Sequence, residues 1–215
     1  MTKRILTFLI TLMFSVSLLT FSANAVVMDT EDTEYELPTE LLSRLGIIDL
    51  DDGYFYPAMG ITKAEFLVML FKTVGILANE EVKEGQELFY DVPYDASYAP
   101  YVAVAYKLGI TQGNGDGFFG ANKIITRQQA ISMIIRSLKY DSMAESKGGY
   151  PGGYETVALS IGITKGIGVS AAGELTKALA AKMLYNTLFT YAIEFSLSDN
   201  EAVYSVNNGK NQKTL

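Results

Sequence analysis

The chain spells one helix opening three times: ITKAEFL at 61–67, ITRQQAI at 125–131 and, more loosely, LTKALAA at 175–181. A second signal precedes each copy, LGIIDL at 45–50, LGITQG at 108–113 and IGITKG at 161–166. The separation from glycine to threonine is 16 residues in the first unit, 17 in the second and 14 in the third, while the glycines themselves stand 63 and 53 residues apart. Near-constant spacing inside longer units is the trace left by repeated supersecondary structure.

The residues of one unit dictate a helix, a loop and a second helix. Short apolar-periodic stretches (Leu41, Leu42, Leu45; Val102, Ala105, Leu108; Val157, Ala158, Ile161) each end at a glycine. Gly46, Gly109 and Gly162 therefore sit where a left-handed C-cap belongs. After a polar, glycine-rich loop, Thr62, Thr126 and Thr176 are placed to accept hydrogen bonds from the free amides of the next helix. Glu65 and Gln129 complete capping boxes three residues on; Leu179 does not, so the third helix start is expected to be weaker.

Each helix after a cap carries one apolar face: Phe66, Leu67, Leu70 and Val74; Ala130, Ile131, Ile134, Ile135 and Leu138; Ala180, Met183, Leu184 and Leu188. A lone helix-loop-helix cannot cover such a stripe. The expected fold is all-α, three helix-loop-helix repeats packed as a pseudo-threefold helical prism. The repeats fall at about 35–77, 89–140 and 150–192, within one domain over 26–195. The turn-rich stretches 81–95 and 145–154 read as connecting loops, and 196–215 as a polar tail or the start of a truncated downstream region.

Residues 1–25 read as a secretory signal peptide, with Lys3 and Arg4, an apolar run from Ile5 to Phe21, and Ala23-Asn24-Ala25 as the cleavage pattern. A retained membrane anchor is the competing reading; the run is short for one and the small-residue box ends it. Removing the leader takes the net charge from -7 to -9, which argues against nucleic acid as a partner. No later stretch is apolar enough to imply a membrane once the leader is gone. The exported chain has no cysteine, so its core must suffice without disulfides; hydrophobic residues make up 49% of the sequence and charged ones 19%.

Several motifs mislead. Gly115, Gly117 and Gly120 match a dinucleotide-binding pattern by letter but follow a helix, not a strand. DLDDGYFYPAMG at 49–60 lacks the glutamate that closes a calcium loop and reads as a turn. Without histidine or cysteine, the usual nucleophilic triads and zinc sites are excluded. Asp91, Asp95, Glu155 and Glu174 leave a pair of hydrolytic carboxylates open by letter, though nothing in the sequence pairs them. No motif asks for a cofactor or metal, and the expectation is a non-catalytic protein.

The middle unit is the most specific: Phe89-x-Asp91-Val92, Tyr98-Ala99, Tyr101-Val102, Ala105, then GITQGNGDGFFG and ITRQQ. It resembles the S-layer homology domain, a triple module that fixes exported proteins to bacterial cell walls. The resemblance extends over about residues 35–192; the first unit lacks the F-x-D-V opening and the third keeps only GGYPGGY, the glycine turn and LTK.

What the resemblance implies is a surface-anchoring module, secreted and held at the cell wall or S-layer. Grooves between its units would bind a secondary cell-wall polysaccharide attached to peptidoglycan, an anionic polymer that typically bears pyruvate ketals. The basic residue of the family's T-R-A-E motif, which meets the sugar, falls here on Lys63, Arg127 and Lys177. A cation on the first turn opposes the helix dipole, whereas an anion lying across both the helix N-terminus and the cation gains from each. Arg127 alone offers the planar two-pronged geometry. Asp91 is placed either to cap the following helix or to touch ligand, and Tyr98 to stack on a sugar ring. A fused or associated surface protein is a further expected partner, and a degenerate protein-interaction or spacer module is the alternative function.

Overall fold

The computed structural model describes residues 27–168, 173–190, 193–198 and 201–206. The expected leader and parts of the expected tail lie outside the described residues. Among the described residues seven helices run in chain order: α1 (Glu36–Arg44), α2 (Lys63–Val74), α3 (Ala99–Lys107), α4 (Arg127–Ser137), α5 (Asp141–Ser146), α6 (Gly152–Ser160) and α7 (Lys177–Leu188). The described residues between 36 and 188 are thus helices and their connecting loops, as the periodicity requires. An antiparallel hairpin, β1 (Ile193–Ser198) and β2 (Glu201–Val206), follows; the sequence reading did not name it.

Three backbone hydrogen bonds set the arrangement of the repeats. The residue before each capping threonine donates to its counterpart in another unit: Ile125 to Ile61 (3.0 Å), Leu175 to Ile125 (2.8 Å) and Ile61 to Leu175 (3.1 Å). These bonds close on themselves, so each unit both gives and receives one. The three side chains beneath the ring are almost wholly buried. Burial of that kind contributes about 1.5–3 kcal/mol per aliphatic side chain.

The helix ends behave as their residues demand. Thr62, Thr126 and Thr176 each accept from the amide three residues on, at 3.2, 3.2 and 3.3 Å. Glu65 and Gln129 return the bond to the threonine amide and complete two capping boxes; Leu179 leaves the third incomplete. Gly46, Gly109 and Gly162 take positive φ (66°, 72° and 87°). The amide after each glycine reaches back five residues, as in Ile110 to Ala105 at 2.8 Å, which is the Schellman closure of a helix.

Packing follows the same cyclic order. The first helix of each unit lies on the long helix of the unit before it, α3 on α2 and α6 on α4, and α1 on α7 closes the circle. The long helices supply Leu67, Leu70, Ile131, Ile134, Ala181 and Leu184 to one shared core. The stretch expected as a loop at 145–154 is shorter than that: α5 ends at Ser146 and α6 begins at Gly152. The two helices touch through glycine, because a Cβ added at Gly153 would meet the Ala144 carbonyl oxygen at 2.1 Å.

A test of this contact is direct. Gly153→Ala is expected to lose about 1–3 kcal/mol in chemical denaturation, the usual range for overpacking. Gly152→Ala, which meets nothing within 4 Å, is the control and is expected to be neutral or slightly stabilising; equal effects for the two would remove the steric explanation.

Candidate functional site

The cap ring places Lys63, Arg127 and Lys177 at equivalent positions, each the first residue of a long helix. Their backbone amides are already engaged: Lys63 donates to the Lys123 carbonyl (2.9 Å), Arg127 to Gly173 (3.1 Å) and Lys177 to Met59 (2.7 Å). The next amides of α2 and α7 donate to Ala121 and Pro57, and the third amides to the capping threonines. At α2 and α7 the first three amides are thus taken by neighbouring loops and the capping threonines, so an anion there would be met by side chains; at α4 the first and third amides are taken in the same way.

The three side chains have diverged. Lys63 is 5% exposed; its ammonium donates to the Phe119 carbonyl at 2.8 Å and to Asn114 Oδ1 at 3.4 Å, and lies 4.6 Å from the centroid of the Phe119 ring. Burial pushes its pKa down to about 8; Asp91 opposes that shift and Lys123 adds to it. Arg127, 4% exposed, forms a two-pronged pair with Glu155, Nε to Oε1 and Nη2 to Oε2, both 3.1 Å. Lys177 is half-buried, and its ammonium makes no hydrogen bond or ion pair among the described residues.

Asp91 neither caps α3, whose N-cap Tyr98 makes no side-chain bond, nor stands free for ligand. Its carboxylate accepts from the amides of Phe119, Gly120 and Ala121 at 2.7–2.8 Å. Burial alone would raise its pKa, but those amides hold it below the ordinary carboxylate value. Asp91 and Lys63 thus grip loop 113–121 from opposite sides, one by its amides and the other by a carbonyl. Asp29 does the same for the first unit, accepting from Phe55 (3.0 Å) and Tyr56 (2.6 Å). The sequence reading missed it because Val27-Met28-Asp29 keeps only the aspartate of F-x-D-V; its position 17 residues before Gly46, against 18 from Asp91 to Gly109, was the available signal.

Two clefts occupy equivalent places beside these residues. The first, about 410 Å³, brings together Lys177, Lys72, Tyr98, Asp49 and Glu65 over a floor that includes Ile48 and Met69. The second, about 240 Å³, is lined by Lys63, Arg136, Ser132, Gln129, Thr111 and Tyr150 among others. Lys72 and Arg136 hold the same helical position, nine residues after the first basic residue in α2 and α4. Neither was singled out from sequence, where each reads as an ordinary last-turn cation. Tyr98 is a wall of the first cleft, while Arg127 lines neither.

Comparison with known proteins bears on what such clefts serve. Residues 88–131 match the S-layer homology domain family. The chain is similar to a cell surface protein of Thermoanaerobacter kivui, 27% identical over 82% of this chain and 23% of that protein. It is also similar to the exoglucanase XynX of Acetivibrio thermocellus (32% identical; 51% of this chain, 10% of that protein) and the middle cell wall protein of Brevibacillus brevis (26%; 73% and 15%). The chain thus spans less than a quarter of the length of these relatives.

Two outcomes follow from the buried cations. Arg127→Ala, which strands Glu155, is expected to cost about 2–3 kcal/mol, and Arg127→Met combined with Glu155→Gln to recover most of it, as read by urea denaturation. The folded pKa of Lys63 lies below that of the unfolded chain, so between about pH 8 and the ordinary lysine value of 10.5 the unfolded state holds more protons. Wild type should therefore gain stability relative to Lys63→Met as pH rises through that window. A difference in Tm that stays flat from pH 7 to 10 contradicts a buried charged amine.

Proposed function

We propose, for a chain that carries an S-layer homology domain, that the mature protein is a non-catalytic module that holds itself, and whatever is joined to it, at the bacterial cell wall by gripping an anionic secondary cell-wall polysaccharide. The observation that carries this reading is the cyclic set of first-turn basic residues with two clefts beside it. Each cleft combines cations with an aromatic rim, Tyr98 in one and Tyr150 in the other. That is the chemistry that an acidic sugar asks of a protein: charge for its carboxylate and a ring face for its apolar side.

The surroundings agree. Relatives named cell surface protein, middle cell wall protein and surface layer protein match long stretches of this chain, and its place is the cell wall and surface. The pyruvylated character of the polymer rests on the family resemblance. Two carboxylates that hydrolysis could have used are committed elsewhere, Asp91 to loop amides and Glu155 to Arg127. Among the described residues no helix is long and apolar enough to cross a membrane.

The test is co-sedimentation of the mature chain with purified sacculi before and after their secondary polysaccharide has been stripped. Binding that disappears on stripping is expected. Binding unchanged by stripping, or absent throughout, would leave the protein-interaction or spacer reading in its place.

A further inference from the structure

The three equivalent grooves differ in one respect that decides where an anion can sit, namely which of their cations already face a carboxylate. In the third groove Arg127 is closed on Glu155, Lys182 pairs with Glu34, and Asn186 donates across the groove to the carbonyls of Ile163 (2.9 Å) and Lys165 (3.0 Å). In the first, Lys72 stands 3.7 Å from Asp49, and Glu65 also lines the wall, so two carboxylates oppose Lys72 and Lys177. A further cleft of about 500 Å³ on the far side of Lys63 is faced by Asp116 and Glu174.

The second groove has no carboxylate in its lining. Its cations are Lys63 and Arg136, and its other polar groups are neutral, Thr111, Gln112, Gln129 and Ser132. Arg136 makes no ion pair among the described residues. Its contacts are long and neutral: Nε to the Tyr154 hydroxyl at 3.4 Å, Nη1 to the Ile110 carbonyl at 3.5 Å, with the guanidinium 5.4 Å from the Tyr154 ring centroid. Lys63 is nine-tenths buried, and the carboxylate nearest to it in effect, Asp91, is engaged by three amides. Lys63, withdrawn from water with no carboxylate in contact, and the half-buried Arg136, which faces none in the groove, form an arrangement that a bound anion favours.

We infer that the second groove is the single anion-binding groove of this protein, with Arg136 as the two-pronged carboxylate contact and Lys63 behind it, while Arg127 is a structural residue. This rests on the anchoring reading for its physiological ligand, but the chemistry stands by itself: one carboxylate on one sugar ring. A volume of about 240 Å³ lies just below the range of drug-sized pockets and suits a single ring and its acidic substituent. Tyr150, exposed at the rim, is the stacking surface.

Gln129 offers a test that leaves the fold intact. It serves the capping box through Oε1, the role Glu65 plays in the first unit, so Gln129→Glu keeps the cap and adds a carboxylate to the groove. The probe is a methyl hexopyranoside carrying a pyruvate ketal, titrated against the mature chain by NMR, with its methyl ester as the neutral control. The expected result is binding of the acid over the ester at one site, weakened about tenfold or more by Gln129→Glu and by Arg136→Gln with thermal stability retained for the former. Arg136→Lys should restore only part of it. Glu65→Gln and Lys72→Gln, changes in the first groove, should leave it unaltered. Loss of binding on Lys72→Gln, tightening on Glu65→Gln, indifference to Gln129→Glu, or no preference for the acid would each overturn the inference. Failure to bind sacculi while the ketal still binds at Arg136 would sink the anchoring reading alone.

Discussion

The ring of three hydrogen bonds among Ile61, Ile125 and Leu175 is the constraint from which the rest follows. Each bond joins residues far apart in sequence, and the ring cannot close until all three units are present. Because the ring lies immediately before the capping threonines, it fixes where every long helix starts. It also draws the glycine-rich loop of one unit against the entry turn of another, and those loops then satisfy the first amides of the helices. A backbone device of this kind tolerates side-chain drift, which is why the third unit keeps the geometry with an incomplete capping box.

That same device changes what the basic entry residues can do. At α2 and α7, where loop carbonyls have taken the first two amides, the helix N-terminus has little left to offer an anion, and the residue there is judged by its side chain. Lys63 and Arg127 turn inward, one onto a loop carbonyl and an aromatic face, the other onto the half-buried carboxylate of Glu155. Their cost is desolvation, and it is met differently: Arg127 by a full ion pair, Lys63 by neutral groups in contact and by Asp91 at longer range. Position in a motif therefore predicts location well and chemical availability poorly.

The sequence made the fold legible where the determinants are local. Glycine turns, threonine caps and one-sided helices all sit where their residues place them, because each depends on partners within six positions. The hairpin at 193–206 was missed, since residues such as Glu194, Ser196 and Glu201 read as polar and its pairing is set by a partner strand. At the site, the family resemblance pointed to the three first-turn basic residues, and Tyr98 was singled out among the tyrosines as a stacking surface. The partnership of Arg127 with Glu155 could not, because Glu155 enters from another helix 28 residues away and carries no mark of it in the sequence. Asp29 was obscured by a degraded motif, and Arg136 by its resemblance to an ordinary helix-end cation.

One position per unit governs two properties that pull in opposite directions. The third helical residue is Glu65, Gln129 or Leu179. A glutamate there closes the capping box and complements the dipole, worth some tenths of a kcal/mol to about one. It also sets a negative charge beside the groove, where it competes with any acidic ligand. A glutamine keeps the box with a weaker charge interaction and leaves the groove's cations unopposed. A leucine gives up the box, and in that unit the groove is bridged by Asn186 and by the Lys182–Glu34 pair. Helix stability and anion affinity are thus traded at a single residue. A protein built of three near-copies can hold the best cap in one unit and the receptive groove in the next, which a single unit could not do.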